Sequence, residues 1–168
     1  EQVTIPNNIQ GTYRIGVATN SGGTLYEHAA PATTNNTTLD DQTLTVTLSP
    51  RPDLQVQGVT APETVQAGGT VSVNFTVINQ GTVPAGGRWT DNVYLSLDNK
   101  FTGDDILIGS MQNESALLPG ELYQTSTPSL VIPRRYRGPM FLIVVTDSGN
   151  SVDEFPQDSN NTAAVGIN

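Results

Sequence analysis

The sequence predicts an all-β protein built as an immunoglobulin-like β-sandwich. Glycine and proline (16 and 11 residues) make up 27 of the 168 residues, and only 14% of the residues are charged. Runs of strong helix formers are missing, whereas short apolar segments alternate with turn-forming residues. About seven short strands, with turns roughly every 8–12 residues, are the pattern of such a sandwich.

The predicted strands follow one another through the second half of the chain. Two segments alternate apolar and polar residues, which predicts strands with one buried face. Their apolar positions are Val71, Val73, Phe75 and Val77 in TVSVNFTVIN, and Val93, Leu95 and Leu97 in DNVYLSL. DILIGS is a short apolar run, and Pro128 interrupts LYQTSTPSLVIP, which predicts a bent or edge strand. MFLIVVT runs into a tight Ser-Gly-Asn turn, and TAAVGIN closes the series.

The chain also contains an internal repeat. IPNNIQGTYRIGVATNSGGTLYE (5–27) aligns with IPRRYRGPMFLIVVTDSGNSVDE (132–154), with eight of 23 positions identical. Such self-similarity predicts a tandem array, and the proline-flanked connector LSPRPDLQV separates the copies. We therefore expect residues 1–49 to be the C-terminal part of a preceding immunoglobulin-like repeat and residues 50–168 to be a complete one. The chain is expected to begin inside the array.

Comparison of the two copies predicts which strand face points inward. Tyr13, Ile15 and Val17 align with three residues that are also apolar, and this shared face should be buried. These partners are Met140, Leu142 and Val144. The opposite face of the second copy carries Phe141, Ile143 and Val145, which need cover. Either a neighbouring strand or loop covers them, or they form a docking patch for an adjoining repeat or chain.

Several motifs, taken in order, closely resemble the cell-adhesion-related domain found in bacteria (CARDB). They are PDLQVQGVTAPETVQAGGTVSVNFTVINQGTVPAGGRWTDNVYLSLD, DDILIG, LLPGELY, FLIVVTDSGNSVDE and NNTA. The resemblance covers residues 53 to about 164, and the leading segment resembles the C-terminal third of that domain. It implies a seven-stranded sandwich that occurs in tandem in large secreted or surface-anchored proteins. The resemblance does not define a ligand.

Two acidic clusters are candidate calcium sites, because Ca²⁺ takes six to eight hard oxygen ligands. The candidate ligands are Asp98, Asp104 and Asp105 in one predicted loop, and Asp147, Asn150 and Glu154 in another. Neither cluster has the spacing of an EF-hand, and Asp and Asn are also ordinary turn formers. The first copy has Asn20 in place of Asp147 but keeps Glu27 and an Asn-Asn pair. The shared Glu and Asn-Asn are therefore interpreted as structural, tying the last turn to the final strand.

Charge and motif content exclude several classes of function. The net charge is −9, which argues against a nucleic-acid partner, because phosphate binding needs clustered Lys and Arg. There are no cysteines, so disulfides, thiolate metal sites and a Cys nucleophile are excluded. No catalytic or nucleotide-binding motif is present, and His28 is the only histidine. We expect no enzyme activity, no certain cofactor and no membrane insertion.

Two further features have a functional and a structural interpretation. The basic turn Arg134–Arg137 could meet an acidic surface on another repeat, or be a solvated turn. Trp89, with Arg88 and Tyr94, could form an aromatic platform for sugars, or Trp89 could pack at the rim of the core.

Three functions are consistent with this sequence. The first is a non-enzymatic spacer and adhesion module of an extracellular or cell-surface bacterial protein, with adjacent repeats or copies and a surface or matrix ligand as partners. The second is a structural subunit of an extracellular filament, in which strands of one chain complete the partial repeat of another. The third is a carbohydrate-binding accessory domain.

Overall fold

The computed structural model describes residues 2–28 and 35–168, and these form two compact units that are described separately. Unit 1 spans Glu1–Ser49 and unit 2 spans Pro50–Asn168. The described residues of unit 1 form four short strands: β1 (Gly11–Tyr13), β2 (Gly16–Ala18), β3 (Thr37–Leu39) and β4 (Leu44–Val46). In antiparallel pairs, β1 lies beside β4 and β2 beside β3.

Unit 2 contains nine strands and one short 3-10 turn at Asp158–Asn160. The strands are β5 (Leu54–Thr60), β6 (Thr70–Val71), β7 (Asn74–Asn79), β8 (Trp89–Ser96), β9 (Ile106–Asn113), β10 (Leu122–Ser126), β11 (Leu130–Val131), β12 (Met140–Val145) and β13 (Thr162–Ile167). One sheet has the order β10-β7-β5, a second has the order β13-β12-β8-β9, and β11 pairs with β6. This arrangement confirms the predicted all-β sandwich. No helix of the described residues is long and apolar enough to cross a membrane.

The core of unit 2 lies between its two larger sheets and contains apolar residues that alternation and the comparison of the two copies placed there. Those residues are Val71, Val73, Phe75, Val77, Val93, Leu95, Met140, Leu142 and Val144, all of them buried, and Leu54 of β5 is buried with them. The prediction for Leu97 was wrong: its side chain is 72% exposed, because β8 ends at Ser96 and the chain turns into a loop. Pro128 separates β10 from β11, and β10 lies at the edge of its sheet.

The chain enters and leaves unit 2 at opposite ends of the sandwich. Asp53, just before β5, accepts a hydrogen bond from the Asn160 side chain, just before β13, at 2.8 Å. Asn168, just after β13, donates its N–H to Glu63 O and accepts the N–H of Val65, each at 2.8 Å. Since β5 runs from Leu54 to Thr60, it spans about 20 Å between these two positions.

Candidate functional site

The connection between β12 and β13 holds one of the two acidic clusters, and its carboxylates build the turn. Asp147 adopts a positive φ of 43°, and its carboxylate accepts the N–H groups of Ser151 and Val152 at 2.9 and 2.8 Å. Asn150, with a φ of 50°, donates its N–H to Asp147 O at 2.8 Å. Both residues therefore have turn-forming roles, which Asp and Asn fill because they tolerate this conformation.

Glu154 is the most deeply buried acid of the connection, with an exposed fraction of 0%. Its carboxylate accepts hydrogen bonds from the Leu54 N–H and from the Asn161 side-chain amide. Burial disfavours the charged form and raises the pKa of Glu154 to about 7, against the opposing effect of these two donors. Burial also raises the pKa of Asp147. Glu154 thus joins the first strand of unit 2 to the start of the last one.

Unit 1 repeats two of the side-chain hydrogen bonds of this connection. Asn20, also at positive φ, accepts the Leu25 N–H at 3.0 Å, as Asp147 accepts that of Val152. The Asn36 side chain donates to Glu27 at 2.9 Å, as Asn161 does to Glu154. The interpretation of the Glu and Asn-Asn residues as structural therefore agrees with both units.

The strand registers on either side of this connection are also the same. Val17 lies opposite Thr38 in unit 1, and Val144 lies opposite Ala163 in unit 2. These pairs are the equivalent positions of the sequence alignment, which has a two-residue gap between the strands. The copies therefore share backbone geometry as well as sequence.

The apolar face of this hairpin is covered in one unit and open in the other. In unit 2, Met140, Leu142 and Val144 lie in the core, as predicted. In unit 1 the equivalent side chains are substantially exposed: Tyr13 39%, Ile15 58% and Val17 57%. The expectation that this face is buried was therefore wrong for unit 1, whose described strands form only two-stranded pairs. Leu44, which lies opposite Tyr13, is also exposed. We call these four side chains the open face of unit 1.

The opposite face of β12 does not form the docking patch that was one of its two interpretations. Ile143 and Val145 are buried, with exposed fractions of 1% and 6%, and only Phe141 is half-buried. The loop after β8 supplies cover: Phe101 packs on Tyr94 with 4.7 Å between ring centroids, and Tyr94 lies beside Ile143 in the sheet. Val145 and Phe101 line the same cleft.

The other acidic cluster lies in this β8–β9 loop, where its carboxylates bond to the loop itself. Asp98 accepts the Lys100 N–H at 2.8 Å, and Asp105 accepts the Thr102 N–H at 2.7 Å. Asp104 accepts the Thr102 hydroxyl, and this hydrogen bond lowers the pKa of Asp104. These contacts are those of a turn.

Calcium binding at either cluster stays a prediction. In the parts of the chain that the structure describes, no three His, Cys, Asp or Glu side chains are grouped as a metal-ligand set. A cleft of about 290 Å³ beside the β12–β13 connection is lined by Asp147, Asn150, Asp158 and Asn161, among others.

The sugar platform proposed for Trp89 does not exist, because Trp89 is buried with an exposed fraction of 1%. Its indole N–H donates to the Tyr123 hydroxyl at 3.4 Å. Arg88 is exposed and lies 3.9 Å from Glu114, while Tyr94 stacks on Phe101. The three side chains thus have separate environments, and Trp89 belongs to the core.

Sequence reasoning missed the polar network that contains Trp89. The Tyr123 and Thr146 hydroxyls both donate to the carboxylate of Asp91, the latter at 2.7 Å. Burial raises the pKa of Asp91, and burial together with the Asp91 charge raises that of Tyr123. The available signal was the position of Asp91 among the inward residues of WTDNVYLS, where an acid requires buried donors.

In the described part of the structure, the basic turn and His28 are not grouped with other residues into a binding or catalytic site. Arg134–Arg137 lies in the connection between β11 and β12, where the Arg135 guanidinium stacks over the Tyr136 ring at 4.9 Å. His28 has the edge of its ring toward Tyr26, with 6.4 Å between centroids. The loop that follows His28 lies outside the described residues.

Comparison with known proteins bears on the fold and the family. The CARDB family model matches residues 51–165. The CARDB domain of the PF1109 protein from Pyrococcus furiosus, solved in complex with di-metal ions, is 20% identical, with a TM-score of 0.51 over 70% of this chain and 87% of that one. β-Glucosidase 3B from Thermotoga neapolitana is 12% identical, with a TM-score of 0.45 over 69% of this chain and 16% of that one. No curated protein matches the sequence.

Proposed function

Because the chain belongs to the CARDB family, a family of non-catalytic β-sandwich domains, we propose that it is a non-enzymatic repeat module of an extracellular or cell-surface protein. The module acts as a spacer that holds adhesive parts of that protein at a distance. Adjacent repeats are its direct neighbours, and a surface or matrix ligand is the expected partner of the whole protein.

The position of the chain ends in unit 2 is the observation that carries this proposal. Because the chain enters beside the β12–β13 connection and leaves at the other end, each repeat in series adds its full length to the array. A domain with both ends on one side would add little length.

The segment that leads into unit 2 is fixed to it, which favours an extended array. Arg51 forms an ion pair with Asp153, and its carbonyl accepts the Thr82 N–H at 3.1 Å. Two prolines flank Arg51 and restrict the backbone further. These contacts hold the first residues of unit 2 against its own sandwich.

Small-angle scattering of tandem copies of residues 50–168 tests the spacer function. We expect the maximum dimension to grow by a constant increment, on the order of 30 Å for strands of this length with their turns, from two to three to four copies. The matched control carries Pro50→Gly and Pro52→Gly in every join, and its increment should be smaller. A maximum dimension that fails to grow with copy number would refute the spacer function.

The same measurement in millimolar calcium, and again with chelator, tests whether the acidic clusters bind calcium. A calcium-dependent change in the maximum dimension that Asp147→Asn abolishes would support calcium binding at the second cluster.

The open face of unit 1 favours a filament subunit as a second candidate. Completion of unit 1 by another chain would propagate from end to end. Unit 2 has no free sheet to supply, however, since Leu54, Val73, Phe75 and Val77 already pack with Met140, Leu142 and Val144. Negative-stain imaging of the chain would detect such fibres. The buried Trp89 leaves the carbohydrate-binding alternative without support.

A further inference from the structure

A cleft lies between the two larger sheets of unit 2, along one side of the sandwich. β9 and β10 are the outermost strands of their sheets, and residues of both strands line a cavity of about 260 Å³. Asp91 of β8 and Tyr123 of β10 belong to its walls. Sites for drug-sized ligands measure roughly 300–1,000 Å³, so this cavity suits a molecule of a few non-hydrogen atoms.

Asp91 carries the only charge among the described residues that line this cleft. Its exposed fraction is 2%, and the donors to its carboxylate are the uncharged hydroxyls of Tyr123 and Thr146, the latter at 2.7 Å. No Lys or Arg of the described residues forms an ion pair with it, and the nearby Asp147 carries charge of the same sign. A buried carboxylate is stabilised when a cation pairs with it, and the cleft is the route by which a cation from solution could reach Asp91.

We propose that this cleft binds a small organic ammonium ion, with its positive charge beside Asp91 and its alkyl chain along an apolar wall. Met111 and Leu117 contribute to that wall, and burial of methylene groups against them adds to the attraction between the opposite charges. Asn113 and Thr125 also line the cleft and carry acceptor oxygens, which suit the three N–H donors of an ammonium group. The ligand class is therefore a primary amine with a short chain.

Other ligands fit this cleft less well. Ca²⁺ takes six to eight oxygen ligands, whereas Asp91 is the only carboxylate among the described lining residues and belongs to no metal-ligand group in the described part of the chain. A neutral molecule would leave the charge of Asp91 uncompensated, and an anion would be repelled by it. Because neither Asp53 nor Asn168 lines the cleft, the spacer function and this site can fail independently.

Titration of the chain with n-butylammonium chloride, followed by the NMR signal of the Trp89 indole N–H, tests the proposal. Trp89 is the only tryptophan, and its indole N–H donates to the Tyr123 hydroxyl at 3.4 Å, so its signal reports on the network around Asp91. We expect a saturable shift with half-saturation on the order of 1–10 mM, since so small a ligand binds weakly. 1-Butanol, which has the same chain without the charge, should bind at least about 10-fold more weakly. Sodium chloride at the same concentration corrects for ionic strength.

Thr125→Lys and Ser126→Lys form a matched pair of variants. The two residues are neighbours in β10 and both substitutions add one positive charge, but only Thr125 lines the cleft. An ammonium group introduced at Thr125 competes with the ligand for Asp91, so Thr125→Lys should weaken butylammonium binding by at least about 10-fold, whereas Ser126→Lys should change it by less than about 2-fold. Asp91→Asn, which removes the charge at nearly constant size, should abolish the saturable shift. The two lysine variants leave the buried network in place, so they test the site even where Asp91→Asn unfolds.

Four outcomes would overturn the proposal. The first is the absence of a saturable shift up to about 100 mM butylammonium. The second is equal binding of butylammonium and 1-butanol, which would show an apolar cleft that does not recognise charge. The third is unchanged binding in both Thr125→Lys and folded Asp91→Asn, which would place the ligand elsewhere. The fourth is the same saturable shift with calcium chloride at a lower concentration, because a metal ion would then be the ligand.

Discussion

One cross-strand pair shows how the two copies keep the same backbone with different side chains. Gly16 lies opposite Leu39 in unit 1, and at the equivalent positions Ile143 lies opposite Ala164 in unit 2. A Cβ on Gly16 would lie 2.9 Å from the Leu39 side chain. Each pair thus combines one large and one small residue. The large residue lies on the second strand of the pair in unit 1 and on the first strand in unit 2, so one large side chain occupies the space in each unit.

Gly81 fixes the segment that leads into unit 2, and replacing it should displace that segment. A Cβ at this position would lie 2.4 Å from Arg51 O and 2.6 Å from the backbone of Pro52 and Asp53, none of which can rotate away. We expect Gly81→Ala to lower the free energy of unfolding by about 1–3 kcal/mol in denaturant titration. Gly103→Ala, where a Cβ would meet no atom within 4 Å, is the control. An equal effect of both substitutions would contradict this explanation.

The buried Glu154 should make unit 2 less stable as pH rises from about 4.5 to 7. Its pKa in the folded protein is about 7, above the ordinary value of 4.5, so in this window the folded state holds a proton that the unfolded state has lost. The free energy of unfolding should fall in this window by up to about 1.4 kcal/mol per pH unit. Below and above the window, Glu154 adds no further pH dependence.

Glu154→Gln isolates this contribution from those of Asp91 and Asp147, whose pKa values are raised in the same direction. The amide group that this substitution introduces can donate to the side-chain oxygen of Asn161, which is buried without a hydrogen-bond partner. The difference in the free energy of unfolding between the variant and the original protein should change between pH 4.5 and 7 and stay constant outside this range. Urea unfolding at a series of fixed pH values measures it. A difference that does not change with pH would refute it. The exposed Glu114→Gln serves as the control.

At the scale of elements, a charged residue should destabilise unit 2 when it is placed in β12, but not when it is placed at the equivalent position of β2. Val144 is buried in β12 and Val17 is exposed in β2, although the two are equivalent in register. Val144→Asp should lower the free energy of unfolding of unit 2 by more than about 4 kcal/mol, since it buries an unpaired charge. Val17→Asp should change that of unit 2 by less than about 0.5 kcal/mol. Chemical denaturation followed by Trp89 fluorescence reports unit 2 alone, as Trp89 is the only tryptophan.

Elements that depend on local alternation could be predicted from the sequence, and those that depend on distant partners could not. Val73, Phe75 and Val77 were placed in the core because strand periodicity alone determines their side, whereas Leu142 was placed there by comparison of the two copies. The environment of Trp89 could not be predicted, because it depends on a hydrogen bond with Tyr123, which is 34 residues away in the sequence. The contact of Phe101 with Tyr94, which lies beside Ile143 in the sheet, likewise involves a loop that has no periodic pattern.

At the scale of the whole molecule, the candidate site was only partly predictable. The comparison of copies identified Glu27 and Glu154 as structural, because equivalent residues with equivalent partners persist in both. The acidic loops were identified by composition, which does not distinguish turn formation from cation binding. The apolar character of the face formed by Tyr13, Ile15 and Val17 could be predicted from pattern, but the expectation that this face is buried was wrong for unit 1.

The opposite placement of the two ends of unit 2 has a mechanical consequence. A pulling force applied through Asp53 and Asn168 is directed along β5 and β13, parallel to the strands and perpendicular to their hydrogen bonds. Strands loaded in this way are pulled past each other in shear. All the backbone hydrogen bonds between two paired strands must then break together, and not one after another from one end. We therefore expect unit 2 to resist tension along the line from Asp53 to Asn168.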